Sequence, residues 1–268
     1  MIRLAAILWS VLCAFAVQAD GVRRLSDRGD LLGWEAVGRL DIQGAGYCTG
    51  TLIAPDLVLT AAHCAFDSTT GRPYPSDKIM FRAGLRDGVS IADRGVAQVA
   101  VPPEFEPKGA VSRGRIRVDV ALMRLAEPIS VAQANPFALH SGDISNAEVS
   151  VSSFGRGRSE AISRERSCQI LWQDAELFAF DCDVTFGSSG SALMARVGDR
   201  GRILAVVSAV GTVDGRDVGY GMALPNVVAQ LKQQLRRDAQ APKATIRRLR
   251  VGSGLSESGA KFVRPGGS

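Results

Sequence analysis

Cys48-Thr49-Gly50-Thr51-Leu52-Ile53-Ala54-Pro55-Asp56-Leu57-Val58-Leu59-Thr60-Ala61-Ala62-His63-Cys64 is the stretch whose reading decides the fold. It holds two apolar runs that read as strands, separated by a Pro-Asp turn. Small residues follow and seat His63, one of only two histidines in the chain. One cysteine opens the hairpin and another follows the histidine. A disulfide between them would hold the histidine loop against its own hairpin, which suits a base that must keep one orientation. Taken alone, the stretch reads equally well as a core histidine behind a buried strand.

Two further segments weigh on that choice. Val118-Asp119-Val120-Ala121-Leu122-Met123-Arg124-Leu125 sets one acid in an apolar run. A carboxylate is costly to bury unless something pairs with it. The second segment is Asp181-Cys182-Asp183-Val184-Thr185-Phe186-Gly187-Ser188-Ser189-Gly190-Ser191-Ala192-Leu193-Met194. A Gly-Ser-Ser-Gly-Ser turn ahead of an apolar strand can present a hydroxyl beside backbone N–H groups. By itself such a run is more often a plain turn or linker. The chain order is His, Asp, Ser, each in a suitable frame, and the three together point to nucleophilic catalysis.

Thr-Ala-Ala-His-Cys, Asp-Val-Ala-Leu-Met-Arg-Leu and Gly-Ser-Ser-Gly-Ser-Ala resemble the signature blocks of the chymotrypsin-fold, trypsin-like serine peptidases. The resemblance covers residues 30 to 236 and is closest to the bacterial trypsin-like and glutamyl-endopeptidase-like branch. Ala36-Val37-Gly38-Arg39-Leu40 ahead of Cys48-Thr49-Gly50-Thr51-Leu52-Ile53 fits that branch. The resemblance implies His63 as general base, Asp119 as the acid that orients it and Ser189 as nucleophile. The N–H groups of Gly187 and Ser189 would form the oxyanion hole. It also implies the disulfides Cys48–Cys64 and Cys168–Cys182, and needs neither cofactor nor metal.

Departures from the family pattern bear on activation and specificity. Ser188 stands where digestive relatives carry an aspartate that captures a newly cut N-terminus, so that switch is absent or different here. Asp183 lies six residues before Ser189, the offset that in trypsin-like enzymes puts an acid at the base of the P1 pocket and selects Arg or Lys. Val206-Val207-Ser208-Ala209-Val210-Gly211 lacks the histidine of glutamate-specific relatives, which disfavours glutamate at P1. Ser208 would support Asp119 and offer backbone to the substrate. Val210 stands where a glycine often keeps the pocket entrance open, and Gly219 and Gly221 are further candidates for its lining. His140, at a strand end before a turn, reads as structural. The alternative to an enzyme is a catalytically silent binding module, but such relatives usually lose one of the three residues.

Composition bounds the setting. The 268 residues include 29 glycines, with 46% hydrophobic residues, which suits a turn-rich fold with a large core. Arg3, the apolar run Leu4–Val17 and small residues up to Ala19 read as a secretory signal peptide, 1–19, cut before Asp20. Cys13 lies within it and follows Leu12, too large a residue for the usual lipoprotein signal. The four remaining cysteines allow three pairings. Disulfides place the protein in the periplasm or the medium. The net charge of +5 belongs to the tail, where 239–268 holds six cations against Glu257, while 20–238 is close to neutral. No nucleic-acid role is therefore expected of the catalytic region. Polypeptides are the expected partners, no transmembrane anchor is expected once the signal is cut, and the tail is a candidate for contact with anionic surfaces.

The expected architecture is all-β: two packed antiparallel β-barrels with a C-terminal helix. The expected boundaries are an exposed arm or short propeptide at 20–33 and a peptidase domain at 34–238. Within the domain the first barrel spans 34–130, the second 131–225, and a closing helix 226–237 has Asn226 as its N-cap. A basic, polar tail occupies 239–268 and reads as disordered. His63 and Asp119 then come from the first barrel and Ser189 from the second, so the site lies in the cleft between them.

Overall fold

The computed structural model describes residues 21–141, 148–174, 176–197 and 200–240. The expected signal peptide, 1–19, and all but the first two residues of the expected tail lie outside the described residues. In chain order the elements are β1 (Arg23–Arg24), α1 (Arg28–Leu31), β2 (Val37–Ile42), β3 (Gly46–Ala54), β4 (Leu57–Thr60), β5 (Ile79–Ala83), β6 (Ala92–Ala100), α2 (Arg113–Val118) and β7 (Ala121–Leu125). There follow β8 (Val149–Ser153), β9 (Ser163–Cys168), β10 (Ile170–Asp174), β11 (Leu177–Phe180), β12 (Ala192–Val197), β13 (Arg200–Val213), β14 (Arg216–Ala223) and α3 (Pro225–Gln240).

The Pro55-Asp56 turn folds β3 onto β4, with Leu52 opposite Val58 and Ala54 opposite Leu57. That hairpin is part of a closed antiparallel barrel ordered β2-β3-β4-β7-β6-β5. All four residues of β4 are buried, because it lies between β3 and β7 rather than at an edge. The second sheet is ordered β1-β9-β8-β12-β13-β14-β11-β10. Only Gln169 separates β9 from β10, although β9 pairs with β8 and β10 with β11. One bent strand thus serves both ends of the sheet and curls it back on itself. A single apolar cluster runs from Leu40, Phe81 and Leu122 of the barrel to Met194 and Val206 of the second sheet. Each such side chain contributes about 1.5–3 kcal/mol on burial, so the two sheets share one stabilising interior.

Two expectations need correction. The helix α3 begins at Pro225, not Asn226, and the Leu224 carbonyl accepts from the Val228 N–H at 3.0 Å. Proline suits the first helical position, where its missing N–H is not needed; Asn226 therefore lies inside the first turn. The helix also runs on to Gln240, past the expected end at 237. Its buried residues Val228, Leu231 and Leu235 follow helical spacing and pack on β6 and β7, tying the end of the second sheet to the first barrel. The amino-terminal arm is likewise not simply exposed. Leu25 and Leu31 are buried, Arg23–Arg24 pairs with β9, and the Leu25 N–H donates to the Ile162 carbonyl at 2.8 Å. Two leucines among many charges are enough to dock it.

Candidate active site

His63 sits in a short 3-10 turn, Ala62–Ala65, that leaves β4 directly. Asp119 is the C-terminal cap of α2, one residue ahead of the segment that becomes β7. β4 and β7 are hydrogen-bonded neighbours with Thr60 opposite Ala121, so their register brings the two residues to the same end of the barrel. Asp119 is fully buried. One carboxylate oxygen accepts the His63 backbone N–H at 2.8 Å, and the other lies 2.7 Å from His63 Nδ1 and accepts the Ser208 hydroxyl as well. A carboxylate can only accept, so Nδ1 carries the proton and Nε2 is left with its lone pair. Burial alone would push the Asp119 carboxyl up. The hydrogen bonds from His63 and Ser208 and the attraction of His63 outweigh it and hold the group below its ordinary value of 3.8.

The turn Gly187–Ser191 meets this loop edge-on. A Cβ at Gly190 would lie 2.0 Å from Thr60 Oγ1 and 2.9 Å from the Ala61 nitrogen, and the residue also has φ +80°, so only glycine fits. The contact sets the serine turn against the residues just before His63. β3 holds the turn from one side, with the Thr49 N–H donating to the Ser189 carbonyl and Thr49 Oγ1 to the Gly187 carbonyl. β13 holds it from the other, with Gly190 N–H donating to the Val207 carbonyl. Of its three serines, Ser188 and Ser191 are fully buried and Ser189 is only half-buried. Ser188 Oγ accepts from the Thr185 N–H at 3.2 Å and shares a hydrogen bond with Ser153 Oγ at 2.9 Å. Among the described residues, the N–H groups of Gly187 and Ser189 donate no internal hydrogen bond.

The surrounding predicted residues are distributed unevenly. Ser208 is buried and bonded to Asp119, whereas Val210, two residues on, is 44% exposed. A Cβ at Gly219 would collide with Phe180 and Val184, and one at Gly221 with the Val206 carbonyl. These two glycines therefore serve close packing around β14. The Asp183 carboxylate, 56% exposed, is engaged by another side chain. Arg158 forks onto both its oxygens at 3.1 Å. His140 lies beside the second sheet, its N–H donating to the Ile203 carbonyl. The disulfides Cys48–Cys64 and Cys168–Cys182 are both formed, with Cα separations of 6.2 and 5.1 Å. Their sulfurs are thereby removed as metal ligands, although Cys48, His63 and Cys64 converge.

Three features went unread in the sequence. An apolar cavity of about 520 Å³ opens beside β13, lined by Val111, Ile116, Trp172, Phe178, Val210 and Tyr220. Its walls come from six separate elements or loops, so no local pattern announces it. The exposed Phe186, next to Gly187, has the Arg156 guanidinium stacked 4.1 Å from its ring centroid. Arg158 and Glu165 both grip Asp183, yet each reads in sequence as one more surface charge.

Two packed antiparallel β-units with a histidine–aspartate pair on one and a glycine-flanked serine turn on the other define a chymotrypsin-fold serine peptidase. The chain belongs to the trypsin family, whose model, described as Trypsin, matches residues 32–230. It is a trypsin-like serine endopeptidase, a hydrolase acting on polypeptides. Among solved structures it is similar to one titled "Structure of Glu endopeptidase in complex with MPD", with a TM-score of 0.67 at 18% identity. That match covers 82% of this chain and 98% of the other, and it is a likeness of fold.

Proposed function

We propose that His63, Asp119 and Ser189 are the catalytic triad of this endopeptidase. The observation that carries the reading is the fully buried Asp119 bonded to His63 Nδ1 at 2.7 Å. A serine hydroxyl is a poor nucleophile at neutral pH and needs a base to take its proton as it attacks. Nε2 of His63 takes it; Asp119 fixes the tautomer and stabilises the imidazolium that forms. The tetrahedral oxyanion is received by the N–H groups of Gly187 and Ser189, each such donor being worth about 3 kcal/mol. His63 then protonates the leaving amine, and water hydrolyses the acyl-enzyme by the same route. The buried positions of Ser188 and Ser191 favour Ser189 as the attacking residue.

The acyl half of the substrate docks along β13 from Ser208 to Gly211, beside the apolar cavity. Apolar residues upstream of the scissile bond are therefore preferred. A preference for Arg or Lys at P1 loses its support, because Asp183 is neutralised by Arg158. Secretion is part of the proposal: two disulfides suit an oxidising compartment, and no helix among the described residues is long and apolar enough to cross a membrane. Cleavage profiling of the secreted protein on a peptide library tests the whole reading. Cuts that vanish in Ser189→Ala and follow apolar upstream residues are expected; a strict P1 Arg/Lys profile would overturn the specificity, and cleavage by Ser189→Ala would overturn the triad.

A further inference from the structure

The loop from Cys182 to Ser189 is gripped at its start by one guanidinium. Arg158 Nη1 and Nη2 donate to the two carboxylate oxygens of Asp183, each at 3.1 Å, and Nη2 also donates to the Asp183 carbonyl at 2.9 Å. From the other side the Asp183 N–H donates to Glu165 at 2.5 Å. The carboxylate, the carbonyl and the N–H of one residue are thus all held by two neighbours. The Arg158 side chain is only 17% exposed, against 56% for Asp183. It lies over Gly155, where a Cβ would come within 2.6 Å of Arg158 Nε and 2.9 Å of the Thr185 methyl. Any larger residue at 155 would displace the guanidinium.

Among the described residues, neither Ser188 nor the amino-terminal arm takes part in this grip on Asp183. Ser188 is uncharged and bonded to Ser153 and Thr185. The arm, residues 21–33, pairs with β9 and bonds Ile162 and Asp87. None of its described residues hydrogen-bonds to 182–189.

We propose that Arg158 is a positioning residue for catalysis: its fork on Asp183 sets the start of the loop that aims the Gly187 and Ser189 N–H groups. The proposal rests on the reading of Ser189 as nucleophile. Gly187 and Ser189 lie four and six residues beyond Asp183. Without the fork, the start of that span would keep the Cys182 disulfide and the Asp183 N–H bond to Glu165 but lose the hold Arg158 has on the Asp183 carboxylate and carbonyl. A bidentate guanidinium supplies direction as well as charge, which an ammonium cannot. Oxyanion donors act only when held close to the productive geometry.

The test uses the full secreted chain as wild type, Arg158→Met, Arg158→Lys, Asp183→Asn and the Arg158→Met/Asp183→Asn double variant. Steady-state kinetics on a peptide amide, the rate of fluorophosphonate labelling and the unfolding midpoint are measured for each. Arg158→Met is expected to lower kcat and the labelling rate by about 10- to 100-fold, the scale of a misplacement near 1 Å, with KM little changed at a temperature where it is folded. Arg158→Lys should recover part of the loss, and the double variant should be no worse than either single one, since the pair acts as a unit. Wild-type kcat and labelling in folded Arg158→Met would overturn the proposal. Should Arg158→Met not fold, wild-type rates in both Arg158→Lys and Asp183→Asn would overturn it. An inactive Ser189→Ala beside a normal Arg158→Met sinks the positioning role alone; an active Ser189→Ala sinks the triad as well.

Discussion

The fully buried carboxylate of Asp119 shows how single residues set the chemistry. Three hydrogen bonds offset its desolvation, and two of them come from the histidine it orients. Replacing it with asparagine invites the wrong tautomer, and turnover should fall by about 10⁴-fold with the fold retained; kcat on a peptide amide checks this. The sign of its pH linkage follows from the lowered carboxyl. Ionised Asp119 stabilises the fold above its unfolded value, and that contribution is lost as pH falls through the lower folded value. The difference in unfolding midpoint between wild type and Asp119→Asn should therefore shrink as the pH drops below about 3.8. Ser188→Ala tests a different residue role. It orphans the Thr185 N–H and removes the bond to Ser153, so it should cost about 1–3 kcal/mol in urea unfolding while activity survives. At this scale the sequence is readable wherever the residue type is rare and its frame distinctive: His63, Asp119 and Ser189 could be singled out, and the structure groups His63 with Asp119 and Ser208. It is silent where the decisive fact is a partner far along the chain. Asp183 looked free because Arg158, 25 residues upstream, is one arginine among many.

Among the elements, the β3–β4 hairpin does most to place the site. Its Pro-Asp turn and two apolar runs were legible because both are local signals. The disulfide Cys48–Cys64 ties its first strand to the histidine turn, and replacing both cysteines by alanine should destabilise the protein by about 3 kcal/mol. Thermal unfolding checks that cost; unchanged stability would remove the hairpin's role as a brace. The helix α3 was legible from its spacing, but its start was misplaced by one residue because Asn226 resembles a cap and Pro225 resembles a break. Leu235 on the inner face of α3 is fully buried, so Leu235→Ala should cost about 2–5 kcal/mol by the same measurement. The bent strand formed by β9 and β10 could not be read, since its curl depends on pairing with two different neighbours.

For the whole molecule, the apolar cluster that runs from the barrel into the second sheet joins the elements that carry residues 63, 119 and 189, the proposed triad. The His63–Asp119 pair stands on the barrel, the Ser189 turn is held by β3 of the barrel and β13 of the second sheet, and α3 packs on β6 and β7 of the barrel. Net charge sits outside this unit: six cations and one anion occupy 239–268. Removing residues 241–268 should leave peptide hydrolysis unchanged and abolish any retention on anionic vesicles, which co-sedimentation with and without the segment would reveal. The central claim is that Ser189 is activated by the His63–Asp119 pair across the two sheets. Labelling the secreted protein with a fluorophosphonate, followed by peptide mapping, tests it most directly. The account predicts one adduct, on Ser189, lost in Ser189→Ala and formed far more slowly in Asp119→Asn; an adduct on Ser188 or Ser191, or a folded protein that does not react, would contradict it.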